Sequence, residues 1–367
     1  MINITSFTHL HRTQTPTGVG VHIIEMLREL ASRDQVNLQM LISAKETDGH
    51  GQIKPEFALG DLPFVTYPFS RRIAEGLWRT VNWPRIDRYV GKTDVLYSPT
   101  EAVIASEKVP QVLTIHDMYL MEPDLPWSQS TQSRKAAVKW EKLTRKMVDR
   151  ASRIVTVSQF TKQRMVELLG ADPDQIFVVG NGIGQAYFEP NLKAVLPVSE
   201  PYVLVVGGLT QRKNGSAVFA AAQALEQMDS QIKIIVAGHC PTVYANEASH
   251  HPNIRLLGYV DDDILPALMA RSVALLFLSR YEGFGMPAVE AMAAGTPVIV
   301  SPYASLPEIV GDAGLIMDPD DEHAIASQIV SLARTPHSRD QLIAKGKAWA
   351  EQYTWEHCVD RLLKTMH

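Results

Sequence analysis

A chain of 367 residues is long for a single hydrophobic core, so two domains are expected. Its 35 Lys and Arg residues against 40 Asp and Glu residues give a net charge of -5, which disfavours a general attraction to nucleic acid. The two cysteines, Cys240 and Cys358, form no CxxC pair, so the sequence disfavours a disulfide framework and a structural zinc site and is compatible with a reducing cytoplasm.

No stretch of the sequence is expected to span a membrane. The N-terminus, MINITSFTHLHRTQTP, lacks a basic region followed by a sustained apolar run, so it reads as a first strand rather than a signal peptide. The longest apolar runs, such as SVALLFLS from Ser272, are far shorter than the roughly 20 residues that cross a bilayer. We therefore expect a cytoplasmic protein.

Short apolar or β-branched runs alternate with segments of helical periodicity along the chain. This alternation is typical of βαβ units and predicts parallel sheets. In the first half the predicted strands are Ile2–Phe7, Val36–Ile42, Val95–Ser98, Gln111–Ile115, Arg153–Val157 and Ile176–Val179. In the second half they are Tyr202–Val206, Ile232–Ala237, Ile254–Leu257, Val273–Leu278, Pro297–Val300 and Gly314–Ile316.

The two halves begin alike. TPTGVGVHIIEMLREL follows the first strand, and YVLVVGGLTQRKNGSAVFAAAQAL repeats the succession of strand, glycine turn and amphipathic helix, which predicts an α/β protein with two Rossmann-like domains. The segment Phe188–Pro201 is the expected linker, with the first domain at residues 1–191 and the second at 192–345. The helical periodicity of Asp340–Met366 predicts a C-terminal helix, placed at residues 346–367, that packs back on the first domain.

One stretch, RYEGFGMPAVEAMAAGTPVIVS, has the residues of a ligand site. A buried strand, a glycine-containing loop and a helix from Met286 would leave free N–H groups at the carboxyl edge of a parallel sheet, where open α/β sheets bind ligands. Glu282 in the loop and Glu290 in the helix could hold a diol and a second polar group. Taken alone, both glutamates are equally well explained as solvated side chains, since the helix dipole by itself favours Glu290.

The same stretch resembles a family signature. E-G-F-G-M-P-x2-E-A-M-A-A-G-T-P-V-I, from Glu282, resembles the E-x7-E motif of the retaining nucleotide-sugar glycosyltransferases with two facing Rossmann domains (the GT-B fold), glycosyltransferase family 4. Similar segments follow in family order over nearly the whole chain: the Gly18–Gly20 turn, TIHD at Thr114–Asp117, VSQFTKQRM from Val157, NGI at Asn181, VGGLTQRKN from Val206 and LGYVDDDIL from Leu257.

The resemblance implies that the second domain binds the donor. Arg212 and Lys213 follow a strand and a glycine turn, where they can meet a diphosphate leaving group, although such a pair is by itself more often solvated. By similarity, Glu290 holds the ribose hydroxyls, and Glu282 holds the donor sugar near its 3- and 4-hydroxyls. The other implied donor-binding residues are Gly208, Val260, Gly283, Phe284, Gly285 and Met286, with the base against the Gly258–Val260 turn.

The first domain is implied to bind the acceptor and to face the donor across a cleft. Gly18 and Gly20, at the start of its first long helix, would then face the diphosphate, although a bare G-x-G is equally typical of an ordinary helix start. His116, at the carboxyl end of a strand, has an implied orienting role beside the reacting sugar. Together with Arg212, Lys213 and Glu282 it completes the set of catalytic candidates.

We expect no cofactor and no essential metal. His9, His11, His22 and the pair His250–His251 lack the spacing of metal ligands. The aspartate run in VDDDIL reads as a helix N-cap rather than a metal motif.

Two basic segments of the first half leave two interpretations open. Arg134–Arg153 has eight basic and two acidic residues, and Arg71–Arg88 carries five arginines with Trp78 and Trp83. Each segment is either a solvated helix face or a surface that rests on anionic lipid at the inner face of the cytoplasmic membrane, bringing the enzyme to a lipid-linked acceptor.

The implied reaction moves a hexose to an acceptor hydroxyl with retention of configuration, the leaving phosphate taking the acceptor proton. TGVGVH and TIHD resemble bacterial mannosyltransferases. The first expectation is therefore mannose from GDP-mannose, passed to a saccharide or lipid-linked saccharide in bacterial glycan synthesis such as that of lipopolysaccharide O-antigen. A UDP-hexose-dependent glycosyltransferase, a nucleotide-sugar epimerase and a non-catalytic nucleotide-sugar binder remain alternatives.

Two further classes fit less well. A nicotinamide-dependent oxidoreductase would need its third glycine where Ile23 stands and an acidic residue at the end of the second strand, at Leu41–Ile42. A hydrolase that used Glu282 and Glu290 as acid and base would need a groove without a diphosphate clamp.

Overall fold

The computed structural model describes residues 1–7 and 17–366. The chain divides into two compact units, one of Met1–Gly182 with Trp355–His367 and one of Ile183–Thr354. The first boundary thus lies earlier than the predicted one after residue 191, and the second lies later than the predicted one after residue 345. Part of the expected linker is held inside the second unit, where Arg271 Nη1 donates a hydrogen bond of 3.2 Å to the carbonyl of Ala194.

Strands and helices alternate through both units. The strands are β1 (Ile2–Phe7), β2 (Val36–Ser43), β3 (Phe64–Tyr67), β4 (Val95–Ser98), β5 (Gln111–Ile115), β6 (Arg153–Thr156), β7 (Ile176–Val178), β8 (Tyr202–Val206), β9 (Lys233–Ala237), β10 (Ile254–Gly258), β11 (Leu275–Phe277), β12 (Val298–Val300) and β13 (Leu315–Ile316). The helices are α1 (Gly18–Ala31), α2 (Arg71–Thr80), α3 (Thr131–Arg150), α4 (Gln159–Leu169), α5 (Gln185–Phe188), α6 (Gly215–Gln227), α7 (Thr242–Ala248), α8 (Leu265–Ala270), α9 (Met286–Ala293), α10 (Leu306–Val310), α11 (Glu322–Arg334), α12 (Pro336–Ala350) and α13 (Trp355–Thr365). Short 3-10 turns lie at Ala44–Glu46, Ile86–Arg88, Tyr119–Met121, Pro173–Gln175 and Gly311–Ala313.

Each unit is built on a parallel sheet, as the alternation predicts. In the first unit the strand order is β3-β2-β1-β4-β5-β6-β7, and in the second it is β10-β9-β8-β11-β12-β13. In the first sheet Ile4 pairs with both Leu38 and Val95, and in the second Leu204 pairs with both Ile235 and Leu275. Both orders reverse direction beside their first strand, so the carboxyl ends of β1 and β4, and of β8 and β11, border the crevices where such sheets bind ligands.

The predicted strands are confirmed, with ends that shift by one or two residues at several of them. β3 was missed because its four residues, FVTY, are too short and too exposed to give a strong period-2 signal. The single C-terminal helix placed at residues 346–367 is wrong: α12 ends at Ala350, and residues 351–354 separate it from α13. That break is anchored where the Tyr353 hydroxyl and the Trp349 indole both donate to the carbonyl of Ile309, at 3.2 and 2.7 Å.

The last helix, α13, belongs to the first unit and packs against α1, in agreement with the predicted return of the C-terminus. Its apolar face buries Trp355, Val359 and Leu362. Among the described residues, every helix is too short or too polar to serve as a membrane span.

Candidate functional site

The turn after β8 is made of glycines that no other residue could replace without displacement. Gly207 and Gly208 have φ of +93° and +75°, and Gly238, at the end of the neighbouring β9, has φ of +120°. A Cβ on Gly208 would lie 1.8 Å from the carbonyl oxygen of His239. The two strand ends therefore touch backbone to backbone, which fixes the course of the chain toward residues 212 and 213.

Arg212 and Lys213 meet Glu282 in one ion-paired cluster, which we call the cation cluster. Lys213 Nζ lies 2.8 Å from Glu282 Oε1, and Arg212 Nη1 lies 2.8 Å from Glu282 Oε2. Arg212 also donates to the carbonyl of Tyr281 (3.1 Å), while Lys213 Nζ lies 4.4 Å from the ring centre of Phe277. The structure thus brings together three of the predicted catalytic residues, from loops 69 residues apart in the chain.

The cation cluster carries an excess of positive charge in a largely buried place. Only 10% of the Lys213 side chain and 12% of the Glu282 side chain are exposed. Burial lowers the pKa of Lys213, against the opposing effect of the Glu282 carboxylate. Burial would raise the pKa of Glu282, but the Lys213 and Arg212 charges outweigh it and lower that pKa. Two cations therefore face one carboxylate, an arrangement that attracts a further anion.

The loop before α9 is held so that the start of the helix stays open. Gly285 is its N-cap with φ of +104°, and no side chain caps the helix. The Ser305 hydroxyl lies 2.9 Å from the carbonyl of Glu282 and 2.8 Å from that of Phe284. Phe284 is buried with its ring edge-on to Tyr353, whereas Gly283 and Met286 are partly exposed. In the first turn Pro287 has no N–H and the Ala288 N–H donates to the carbonyl of Gly285 at 3.0 Å, so a ligand at this helix start would meet chiefly the backbone of Gly285 and Met286.

Glu290 lies one turn further along α9 and is partly buried. Burial raises its pKa to about 7, the Asp262 carboxylate acts in the same direction, and Lys213 opposes both. Tyr187 lies near the same carboxylates. Its pKa is raised mainly by burial and then by the charges of Glu290 and Asp262. The sequence analysis treated Asp262 only as part of an aspartate run that caps a helix, and it did not name Tyr187, which lies in no recognised motif.

The predicted capping role of the aspartate run is wrong. The N-cap of α8 is Ile264, without a side-chain cap, and the carbonyl of Asp261 accepts from Ile264 N–H (2.9 Å) and Leu265 N–H (3.1 Å). Asp262 instead approaches the Tyr259 hydroxyl at 3.4 Å. Val260, in the turn expected to meet the base, is partly buried and lines a cavity of about 390 Å³ together with Tyr259.

In the first unit, Gly18 and Gly20 lie in the first turn of α1. Thr17 is the N-cap, and its hydroxyl accepts a hydrogen bond of 3.2 Å from the Gly20 N–H. Residues His9 and His11, named above, lie outside the described residues.

His116 stands at the carboxyl end of β5, as predicted, and is 8% exposed. Its ring Nε2 lies 2.9 Å from the carbonyl of Pro99, and its backbone N–H donates to Glu101 Oε1 at 2.8 Å. His22 packs against this ring and is hydrogen-bonded to Asn181. Sequence inspection considered His22 only as a metal ligand and missed this contact.

Metal binding finds no support in side-chain clustering over residues 1–7 and 17–366. Within these ranges no three His, Cys, Asp or Glu side chains are grouped so as to hold an ion. The absence of an essential metal stays a prediction.

Comparison with known proteins identifies relatives of both halves. An O-antigen chain mannosyltransferase B of Escherichia coli is 33% identical over 238 residues, covering 61% of this chain and 62% of that protein. An O-antigen chain mannosyltransferase of Salmonella typhimurium is 29% identical over 234 residues, covering 62% of each. The matches thus span 62% of the length of these two curated relatives.

Solved structures share the fold of the whole chain. Anabaena HepE, solved in complex with UDP and glucose, matches with a TM-score of 0.68 and 19% identity, covering 100% of this chain and 99% of HepE. The family model of Glycosyltransferase Family 4 matches residues 16–185, and that of Glycosyl transferases group 1 matches residues 190–349. The chain therefore belongs to the family 4 glycosyltransferases of the GT-B fold.

Proposed function

We propose that the protein transfers a hexose from a nucleotide diphosphate sugar to an acceptor hydroxyl. The observation that carries this proposal is the cation cluster, in which Arg212 and Lys213 share the single carboxylate of Glu282 at 2.8 Å each. A diphosphate leaving group gains negative charge as its bond to the sugar breaks. An excess positive charge with little solvent around it stabilises that change more than it stabilises the bound donor.

The remaining donor roles follow from this placement. A bound diphosphate would compete with Glu282 for Arg212 and Lys213, which frees the carboxylate to accept hydrogen bonds from the 3- and 4-hydroxyls of the sugar. The backbone of Gly283, Phe284, Gly285 and Met286 would line the sugar and diphosphate at the open start of α9. In its ionised form Glu290 would accept hydrogen bonds from both ribose hydroxyls. Gly208 would border the diphosphate, and Val260 would border the base.

The transfer proceeds with retention and without an enzymic nucleophile. The bond between the anomeric carbon and the phosphate oxygen breaks while the acceptor oxygen bonds to that carbon on the same face. The acceptor proton passes to the leaving phosphate oxygen, so atoms and charges balance. Gly18, Gly20 and His116 belong to the acceptor-binding unit in this scheme, with His116 beside the reacting sugar.

GDP-mannose is the donor we propose, because the two curated relatives are mannosyltransferases. Both relatives are O-antigen chain enzymes, which supports a saccharide or lipid-linked saccharide of O-antigen type as the acceptor. HepE in complex with UDP and glucose favours a UDP-hexose as the second candidate.

Titration calorimetry with GDP and UDP, followed by a product assay with GDP-mannose, UDP-glucose and a panel of acceptors, tests this proposal. We expect GDP to bind more tightly than UDP and mannose to be transferred with retained anomeric configuration, with or without EDTA. Tight binding of UDP but not of GDP would identify a UDP-hexose as the donor instead. Donor binding without transfer would favour a passive binder, and conversion of the donor sugar without an acceptor would favour an epimerase.

Part of the first unit suits contact with an anionic membrane surface. On α3, Lys135, Val138, Lys139 and Lys142 recur at helical spacing and are exposed, Val138 to 66%. In the second basic segment Trp78 is fully buried in the core, whereas Trp83 is 49% exposed. We assign the peripheral contact at the inner face of the cytoplasmic membrane to the stripe of α3, because its three exposed lysines lie on one face of the helix.

Vesicle co-sedimentation tests the α3 stripe. The full chain should bind vesicles that contain phosphatidylglycerol and not phosphatidylcholine vesicles, and binding should weaken as salt rises. Replacing Lys135, Lys139 and Lys142 by Gln should abolish it, whereas the control Lys233→Gln, on the other unit, should not. Equal sedimentation of the triple variant and the unaltered protein would contradict the assignment.

A further inference from the structure

A second histidine packs against His116 and has no part in the proposed reaction. His22 lies on α1 and is fully buried. Its ring meets the ring of His116 edge to face, with the centroids 4.7 Å apart and an angle of 90° between the planes. Burying a polar imidazole costs free energy unless it is hydrogen-bonded, so an apolar residue would fill this part of the core more simply.

His22 is held in one orientation and one protonation state. Its Nδ1 lies 2.7 Å from Asn181 Oδ1, and because an amide oxygen only accepts, Nδ1 carries the proton. Its Nε2 is buried without a hydrogen-bond partner. Burial, followed by the neighbouring His116, holds the pKa of His22 well below its usual value despite the contact with Asn181. A neutral ring of fixed orientation therefore faces His116.

The ring of His116 is constrained from the other side. Its Nε2 lies 2.9 Å from the carbonyl oxygen of Pro99, and because a carbonyl only accepts, Nε2 carries a proton and donates it. In the neutral ring the lone pair then resides on Nδ1. A rotation of the ring would break the contact with Pro99, and the ring of His22 stands against one side of it.

We propose that His22 is a positioning residue which, oriented by Asn181, fixes the ring of His116 so that its Nδ1 lone pair keeps one direction. A lone pair of fixed direction can accept a hydrogen bond from a hydroxyl of the reacting sugar or of the acceptor, without reorganisation during the reaction. The role of this lone pair in the reaction rests on the proposed function, whereas the positioning of the ring does not. Asn181 and Trp355, whose ring centroid is 5.9 Å from that of His22, stand beside the two points where the chain passes between its units.

Histidine ¹⁵N spectra of the full chain without ligand test the positioning itself. In the unaltered protein His116 should show only the tautomer with the proton on Nε2. In His22→Ala a mixture of tautomers should appear, whereas the control Leu30→Ala, equally buried two turns further along α1, should leave the His116 signals unchanged. A single Nε2 tautomer in His22→Ala would overturn the proposal, whatever the protein's activity.

A double-mutant cycle tests the link to transfer. His22→Ala should lower kcat by about tenfold and leave the affinity for the nucleotide sugar within about twofold, and the His22→Ala/His116→Ala protein should be no slower than His116→Ala alone. If His22→Ala does not fold, His22→Gln keeps a donor for Asn181 but lacks the ring, and should behave in the same way. If the losses in kcat of the two single variants added up in the double variant, the proposal would be overturned. A complete lack of transfer by the unaltered protein would refute the proposed function instead, and the tautomer spectra would still decide the role of His22.

Discussion

Each unit begins with a strand whose next helix in the chain is a long one, β1 and α1 in the first unit and β8 and α6 in the second, but the two units place different chemistry at the carboxyl ends of their strands. Beside β8 and β11 the second unit has charged side chains that neutralise each other in part, Arg212, Lys213 and Glu282. Beside β1 and β5 the first unit has His22 and His116, with His22 held neutral by burial. The same topology thus suits a charged ligand in one unit and hydroxyl groups in the other, through side chains alone.

The backbone contact that supports the charged unit can be broken directly. Gly208→Ala places a methyl group 1.8 Å from the carbonyl oxygen of His239 at a φ of +75°, so we expect a loss on the order of 4 kcal/mol in the free energy of unfolding of the second unit. In Gly208→Ala, far-UV circular dichroism should show a transition at a lower urea concentration than in the unaltered protein. Tryptophan fluorescence should change little at that transition, because Trp349 lies in the second unit and the other five tryptophans lie in the first.

The matched control is Gly76→Ala on α2. A Cβ at Gly76 meets open space, so alanine should stabilise the first unit by about 0.5–1 kcal/mol. If Gly208→Ala unfolded at the same urea concentration as the unaltered protein, the close contact between Gly208 and the carbonyl of His239 would be contradicted.

The charge of the second unit can be reduced without altering its turn. Lys213→Met keeps the apolar contact with Phe277 and removes the ammonium, so kcat/KM should fall by about 10²- to 10³-fold. Lys233→Met, at the amino end of β9, removes a charge far from the carboxyl edge of the sheet and is the control in the same steady-state assay. A kcat/KM of Lys213→Met within threefold of that of the unaltered protein would contradict the placement of the diphosphate at this cluster.

The sequence predicted the strands and the cations of this site, but not how the cations pair. Local patterns and the family signature named Arg212, Lys213 and Glu290 as candidates, because each lies within a continuous motif. The pairing of both cations with Glu282 requires β8 and β11 to be neighbours in the sheet, and strand order is a long-range property that periodicity does not encode. For the same reason the contact between His22 and Asn181, 159 residues apart, could not be predicted.

The aspartate run shows a different limit. An Asp before a helix satisfies the rule for N-caps, yet the turn at Asp261 places the N-cap of α8 at Ile264, and Asp262 lies near Tyr259 instead. The backbone turn, whose geometry depends on the packing of neighbouring elements, thus overrides the local preference of Asp for the N-cap position.

The smallest expected effect concerns the protonation of Glu290, whose pKa is raised from 4.5 to about 7. A carboxyl with a raised pKa in the folded state stabilises the fold fully below pH 4.5 and loses that contribution as the pH rises through 7. Glu290→Gln should therefore match the unaltered protein at pH 4.5 and exceed its free energy of unfolding by about 1–3 kcal/mol at pH 8. Urea unfolding at the two pH values measures the difference.

The same titration should appear in donor binding. GDP-mannose has no group that titrates near pH 7, so a change in its affinity between pH 6 and 8 reports on the protein. Because an ionised carboxylate is the better acceptor for two ribose hydroxyls, we expect the affinity of the unaltered protein to rise by up to about tenfold over this range and that of Glu290→Gln to stay constant. Calorimetry that found the same pH dependence in both proteins would assign the titration to another group and place the ribose away from Glu290.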